Sequence, residues 1–126
     1  MKPDIISRDN IHFIISDFYS KLINDKSTRP FFESFIKNNT LEKHIDIITD
    51  FWEDILFSTI KYSNNVLQKH LDINTEIKFE KEHFELWLNY FIEIINNNFS
   101  GLNAELMKNR AKSIATVMQV KMKLYK

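Results

Sequence analysis

One glycine and two prolines in 126 residues leave a β architecture almost nothing to turn with. Sheets of short strands need Gly, Pro and Asx-type turns at close intervals. This chain instead carries long stretches in which apolar residues recur every three or four positions, the period of a helix. An all-α domain is what such stretches admit. Asparagine does the punctuation, at Asn38-Asn39, Asn64-Asn65 and Asn96-Asn97-Asn98, because its side chain favours caps and left-handed positions. No internal repeat, low-complexity tract or linker divides the chain. Residues 1–126 therefore read as a single domain around a single core.

The first helix is predicted over Arg8–Asn24, with Ser7 or Asp9 near its N-cap and Ile11, Ile14, Ile15, Phe18, Tyr19 and Leu22 facing inward. A buried Tyr19 needs a partner for its hydroxyl, whereas a tyrosine half-exposed at a core edge does not. Asp25–Pro30 breaks the helix. The short turn Phe31–Phe35 that follows has three phenylalanines to direct at something apolar. Thr40 is the expected cap of a helix over Leu41–Ser58, with Glu42 in its first turn. His44 lies on one stripe with Ile48 and Phe51, so it looks inward or along the edge of the core.

Residues 59–78 form a weakly periodic connection containing His70. So long a stretch without strong helical period is often functional in a compact domain. A further helix is predicted over Phe79–Asn96, with Phe84, Trp87, Leu88, Phe91, Ile94 and Ile95 on one face. His83 stands one turn before Trp87. After a turn at Phe99–Leu102, Asn103 is expected to cap a last helix, Ala104–Tyr125, that buries Leu106, Met107, Ala111, Ile114, Ala115 and Met118. His12 reads as exposed.

Composition removes several classes of function. Seventeen basic and seventeen acidic residues cancel without forming any block of like charge, so the basic face that nucleic acid requires is missing. With no cysteine, disulfides, thiolate zinc sites and iron–sulfur clusters are excluded. Four histidines and the carboxylates remain as metal ligands. No stretch resembles a signal peptide or a membrane span, which makes the cytoplasm the expected location. Eleven phenylalanines, four tyrosines and two tryptophans suit either a thick core or a core wrapped around a flat apolar ligand.

Several short strings stand in order along the chain. They are Phe18-Tyr19, Pro30-Phe31-Phe32, His44 with Phe51-Trp52 seven residues later, Lys69-His70-Leu71-Asp72, and Phe84-Glu85-Leu86-Trp87-Leu88. In this order and spacing the series resembles the group III truncated haemoglobins, from about residue 5 to residue 122. The scarcity of glycine fits as well, since groups I and II usually carry Gly-Gly pairs.

That resemblance implies a truncated globin fold, with two antiparallel helix pairs crossed over one another around haem b. It makes His70 the proximal iron ligand, His83 being the rival that its position keeps open. The second ring nitrogen of His70 would donate to a backbone carbonyl, for which Val66 is the candidate. Tyr19, His44 and Trp87 fall on the distal side, and Phe32, Ile48, Phe51, Trp52 and Phe91 pack against haem. Taken singly, His44 and Trp87 read better as ordinary core-edge and core residues. Together, a tyrosine O–H, a histidine N–H and a tryptophan N–H are donors suited to a polar diatomic molecule in a dry pocket.

The implied activity is binding of oxygen and other diatomic gases by a monomer. An enzymatic alternative uses the same pocket to reduce peroxide or oxidise nitric oxide, with a reductase as electron donor. A haem-free helical interaction module is a third reading from a different class. The chain departs from the family pattern at Leu41, where tryptophan is frequent, and at Asn64 and Val66, where glycine and proline are frequent. It also has a longer connection from His70 to Trp87. Lys69, Tyr62 and Arg110 are candidates for the haem propionates.

Overall fold

Ser7 opens the first helix as predicted: its hydroxyl accepts the Asn10 N–H at 3.2 Å, and α1 spans Arg8–Asn24. The structure, a computed structural model, describes residues 2–62 and 80–121. In α1 every predicted inward residue is buried, Tyr19 included. Asp25 ends the helix, its carboxylate accepting the Ser27 N–H at 2.9 Å and the Tyr90 hydroxyl at 2.6 Å. A 3-10 turn over Arg29–Phe32 carries Pro30 at its second position, where a fixed φ suits a first turn. The short α2, Glu33–Lys37, follows directly, and Asn39 reverses the chain in the left-handed region at φ 57°.

The helix α3 covers Leu41–Phe57, and Ser58 closes it in a left-handed cap. Thr40 precedes α3 where expected but does not cap it, because its backbone (φ −113°, ψ 7°) is not extended and its side chain bonds no helix N–H. The buried edge of α3 is Ile45, Thr49, Trp52 and Glu53; Ile45 and Trp52 belong to the predicted apolar stripe, whose Ile48 and Phe51 are half-buried. Burial of Thr49 costs little, since its hydroxyl donates to the Ile45 carbonyl at 2.7 Å. Glu53 is held by Arg8 at 2.7 Å and Lys61 at 3.0 Å.

Lys81–Asn98 forms α4, two residues beyond the predicted end. The asparagine triplet is helical here because Asn98 Nδ2 donates to the Ile94 carbonyl at 2.8 Å, and the Phe99 N–H closes on Ile95. The last helix, α5, runs over Leu102–Lys121 among the described residues; its predicted end at Tyr125 lies outside them. Asn103 is not its cap. Asp4, at the other end of the sequence, accepts the N–H groups of Asn103 at 3.0 Å and Ala104 at 2.9 Å, while Asn103 Nδ2 ties back to the Ile5 carbonyl at 2.7 Å.

Packing follows two pairings, α1 on α3 and α4 on α5, with α1 also laid against α4. The core between them is built from Ile11, Ile14, Ile15, Phe18, Trp52, Phe91, Ile94, Ile95 and Met107. The all-α prediction holds, with no strand among the described residues. No helix among those residues is long and apolar enough to cross a membrane.

Candidate functional site

Tyr19 projects from the buried face of α1 and keeps 6% of its surface. Its hydroxyl lies 2.9 Å from Nε2 of His44, near the start of α3. Burial pushes the Tyr19 phenol well above its ordinary value, so the group remains an O–H donor at any physiological pH. His44 is half-buried. It meets the Tyr19 ring edge-on, at 5.2 Å between centroids, and stacks on Phe35 at 4.4 Å and 26°. Phe32 packs edge-on against the other side of Tyr19 at 5.4 Å.

Behind this pair the aromatic residues interlock. Phe18 contacts Trp87 at 5.7 Å and Phe91 at 5.1 Å, both edge-on. Phe91 is stacked between Trp52 at 5.3 Å and Trp87 at 6.0 Å. These rings enclose a cavity of about 30 Å³ lined by Ile15, Phe18, Tyr19, Ile48, Phe51, Trp52, Trp87, Phe91 and Ile114. That is room for a water or a diatomic molecule. The polar side chains among its lining residues are those of Tyr19, Trp52 and Trp87, and the Trp87 indole donates no hydrogen bond among the described residues. The lining contains no carboxylate, so the cavity favours small neutral molecules over cations.

Of the residues singled out from sequence, Tyr19, Ile48, Phe51, Trp52, Trp87 and Phe91 meet at this cavity, while His44 and Phe32 flank Tyr19. His70, with Lys69 and Val66, lies outside the described residues. His83 serves the start of α4 instead. Its Nδ1 accepts the Glu80 N–H at 2.8 Å in a capping box, and its ring packs edge-on against Phe31 at 4.8 Å. Arg110 is exposed. His12 is half-exposed rather than exposed, beside Ser16 and Asp46. The Tyr62 ring packs on Phe51 at 5.1 Å, and its buried hydroxyl has no hydrogen-bond partner among the described residues. Among those residues no group of three histidine, aspartate or glutamate side chains could hold a metal ion.

Sequence reasoning passes over four residues. Ile15 and Ile114 read only as core, yet they line the cavity. Phe18, one position before Tyr19, joins the two aromatic groups. Phe35 backs His44. The signal for Ile15 is present in its spacing, one helical turn before Tyr19. None exists for Phe35 among three neighbouring phenylalanines.

No family model matches the chain. It is 31% identical over 121 residues to the group 3 truncated hemoglobin ctb of Campylobacter jejuni, covering 94% of this chain and 93% of that protein. The chain belongs to the group III truncated haemoglobins. The crystal structure of the group III truncated hemoglobin from Campylobacter jejuni superposes on this truncated haemoglobin with a TM-score of 0.85, at 31% identity, covering 100% of this chain and 97% of that one. The two-over-two helical arrangement predicted from sequence is thereby the observed fold.

Proposed function

We propose that this truncated haemoglobin binds haem b, with His70 as proximal ligand, and holds oxygen or another diatomic gas against Tyr19, His44 and Trp87. The observation that carries the reading is the meeting of the Tyr19 hydroxyl, hydrogen-bonded to His44 Nε2, with the Trp87 indole at one small aromatic cavity.

The residues present fit haem. Phe32, Ile48 and Phe51, each half-buried, give apolar side chains for a porphyrin to pack on, and Tyr62 carries a buried hydroxyl without a partner among the described residues. The donor set is neutral, as suits a gas rather than an ion. When bound, haem supplies an iron with one open coordination position for a diatomic molecule.

What this chain contributes is orientation, polarity and exclusion of water. Tyr19 is fixed by the buried face of α1, and its raised pKa keeps its proton available to donate. Buried, it also acts where the dielectric is low, and a hydrogen bond there is stronger than in water. Trp87 presents an indole N–H whose ring is immobilised by Phe18 and Phe91. His44, half-buried and outside the cavity lining, bonds the Tyr19 hydroxyl through Nε2.

Addition of haem to the purified protein tests the reading. A Soret band is expected, with stoichiometric uptake that His70→Ala loses and His83→Ala keeps. Absence of a Soret band in the unaltered protein sinks the proposal; loss in His83→Ala alone moves the iron ligand to His83.

A further inference from the structure

Phe35 belongs to none of the residue sets named for the site from sequence, yet its ring stacks closely on one of them. The centroids of Phe35 and His44 are 4.4 Å apart with an interplanar angle of 26°. Phe35 also stacks on Phe32 at 6.5 Å, Phe32 packs on Tyr19 at 5.4 Å, and Tyr19 meets His44 at 5.2 Å. The four rings close a cycle in which His44 touches both a buried hydroxyl and a half-buried phenyl face. The backbone fixes this register. Phe35 C=O accepts the Thr40 N–H at 2.9 Å, and Thr40 C=O accepts the His44 N–H at 3.0 Å, so a single shared residue joins the two ring-bearing positions. Asn39, left-handed at φ 57°, turns the chain between them.

A half-buried histidine on a helix ordinarily samples more than one χ1 well. We infer that Phe35 is a positioning residue: its ring, stacked on the imidazole, holds His44 in the inward rotamer that brings Nε2 to Tyr19 and keeps the distal side closed. This rests on the haem-binding reading above and adds to it a determinant of His44's position beside its bond to Tyr19. A leucine at 35 retains apolar bulk on the short α2 but offers no flat face, so His44 gains access to outward rotamers. A tyrosine retains the face.

The test uses the haem-loaded protein with carbon monoxide as probe. The infrared C–O stretch reports the polarity at the distal side, and stopped-flow gives the rate of oxygen release. Phe35→Leu is expected to shift or split the C–O band toward that of His44→Leu. It should change oxygen release in the same direction by roughly two- to tenfold, the size of effect an aromatic stacking contact supports. Phe35→Tyr is expected to restore both. A general loss of stability would not move the band selectively.

The inference is overturned if Phe35→Leu keeps the unaltered band and release rate while His44→Leu changes them. It is equally overturned if His44→Leu changes neither, since nothing would then need positioning, or if Phe35→Tyr behaves as Phe35→Leu. Failure of the unaltered protein to take up haem strikes the underlying reading instead, and is seen before any variant is compared.

Discussion

The hydroxyl of Tyr19 and Nε2 of His44 meet at 2.9 Å across the α1–α3 contact, joining a buried hydroxyl to a half-buried imidazole. The two partners differ in freedom: Tyr19 sits on the buried face of α1, His44 at the margin. Removal of the hydroxyl therefore deletes a fixed donor without disturbing α1. Tyr19→Phe is expected to raise the oxygen dissociation rate by roughly 5- to 150-fold, since leaving a buried polar group without its hydrogen bond costs about 1–3 kcal/mol. Stopped-flow displacement of oxygen measures it, and an unchanged rate would remove Tyr19 from the ligand's surroundings.

Asp4 is a capping residue with a pH signature. Burial by itself would raise its pKa, but the N–H groups of Asn103, Ala104 and Ile5 outweigh that and hold the carboxyl below the ordinary aspartate value. A depressed folded-state pKa adds stability above the unfolded value, about 4, and that stability is lost as pH falls through the folded value. Asp4→Ala should cost about 0.5–2 kcal/mol at neutral pH, the usual worth of a helix N-cap. Urea titrations at neutral and at strongly acidic pH should show the gap between variant and parent narrowing in acid.

Gly101 is the neighbour that lets this cap form. Its φ is 140°, and a Cβ there would stand 2.5 Å from Asp4 Cγ. Gly101→Ala combines a backbone strain with displacement of the capping carboxylate, and about 2–3 kcal/mol of destabilisation is expected. Thermal melting measures it. In the Asp4→Ala background the same change should cost less, because the side chain it strikes is gone.

Glu53 draws its tolerance of burial from two cations. Desolvation opposes its charge, while hydrogen bonds from Lys61 and Arg8 hold its pKa below the ordinary glutamate value. Since Arg8 and Lys61 side chains keep 36% and 45% of their surface, solvent screens the network and the loss in Glu53→Gln should be only about 1–2 kcal/mol. Its contribution too is present above the unfolded pKa and fades as pH falls through the folded one. Chemical denaturation at neutral pH with and without about 1 M salt checks the claim, because added salt should diminish the difference.

The legible parts of this chain are those whose cause is local. Ser7 and the run from Ile11 to Leu22 determine α1 within one helix, and the structure follows them residue for residue. Tyr19, Ile48, Trp52, Trp87 and Phe91 could be placed on inward stripes by spacing alone, and they do meet at one cavity. What eluded the sequence has distant causes. The cap of α5 comes from Asp4, the burial of Glu53 depends on Arg8, and the Phe35–His44 stack depends on how an asparagine turn folds back. The Asn96–Asn98 triplet is a misleading local signal: capping propensity loses to a side chain that bonds its own helix.

The tie between Asp4 and the first turn of α5 also bears on the order of folding. A helix whose N-terminal amides are satisfied from the opposite end of the sequence cannot secure its first turn until nearly the whole chain has closed into a loop. Such closure is entropically unfavourable and contributes to slow, non-local folding. The cap on α5 thus depends on long-range closure, while the aromatic cavity is drawn mainly from α1, α3 and α4.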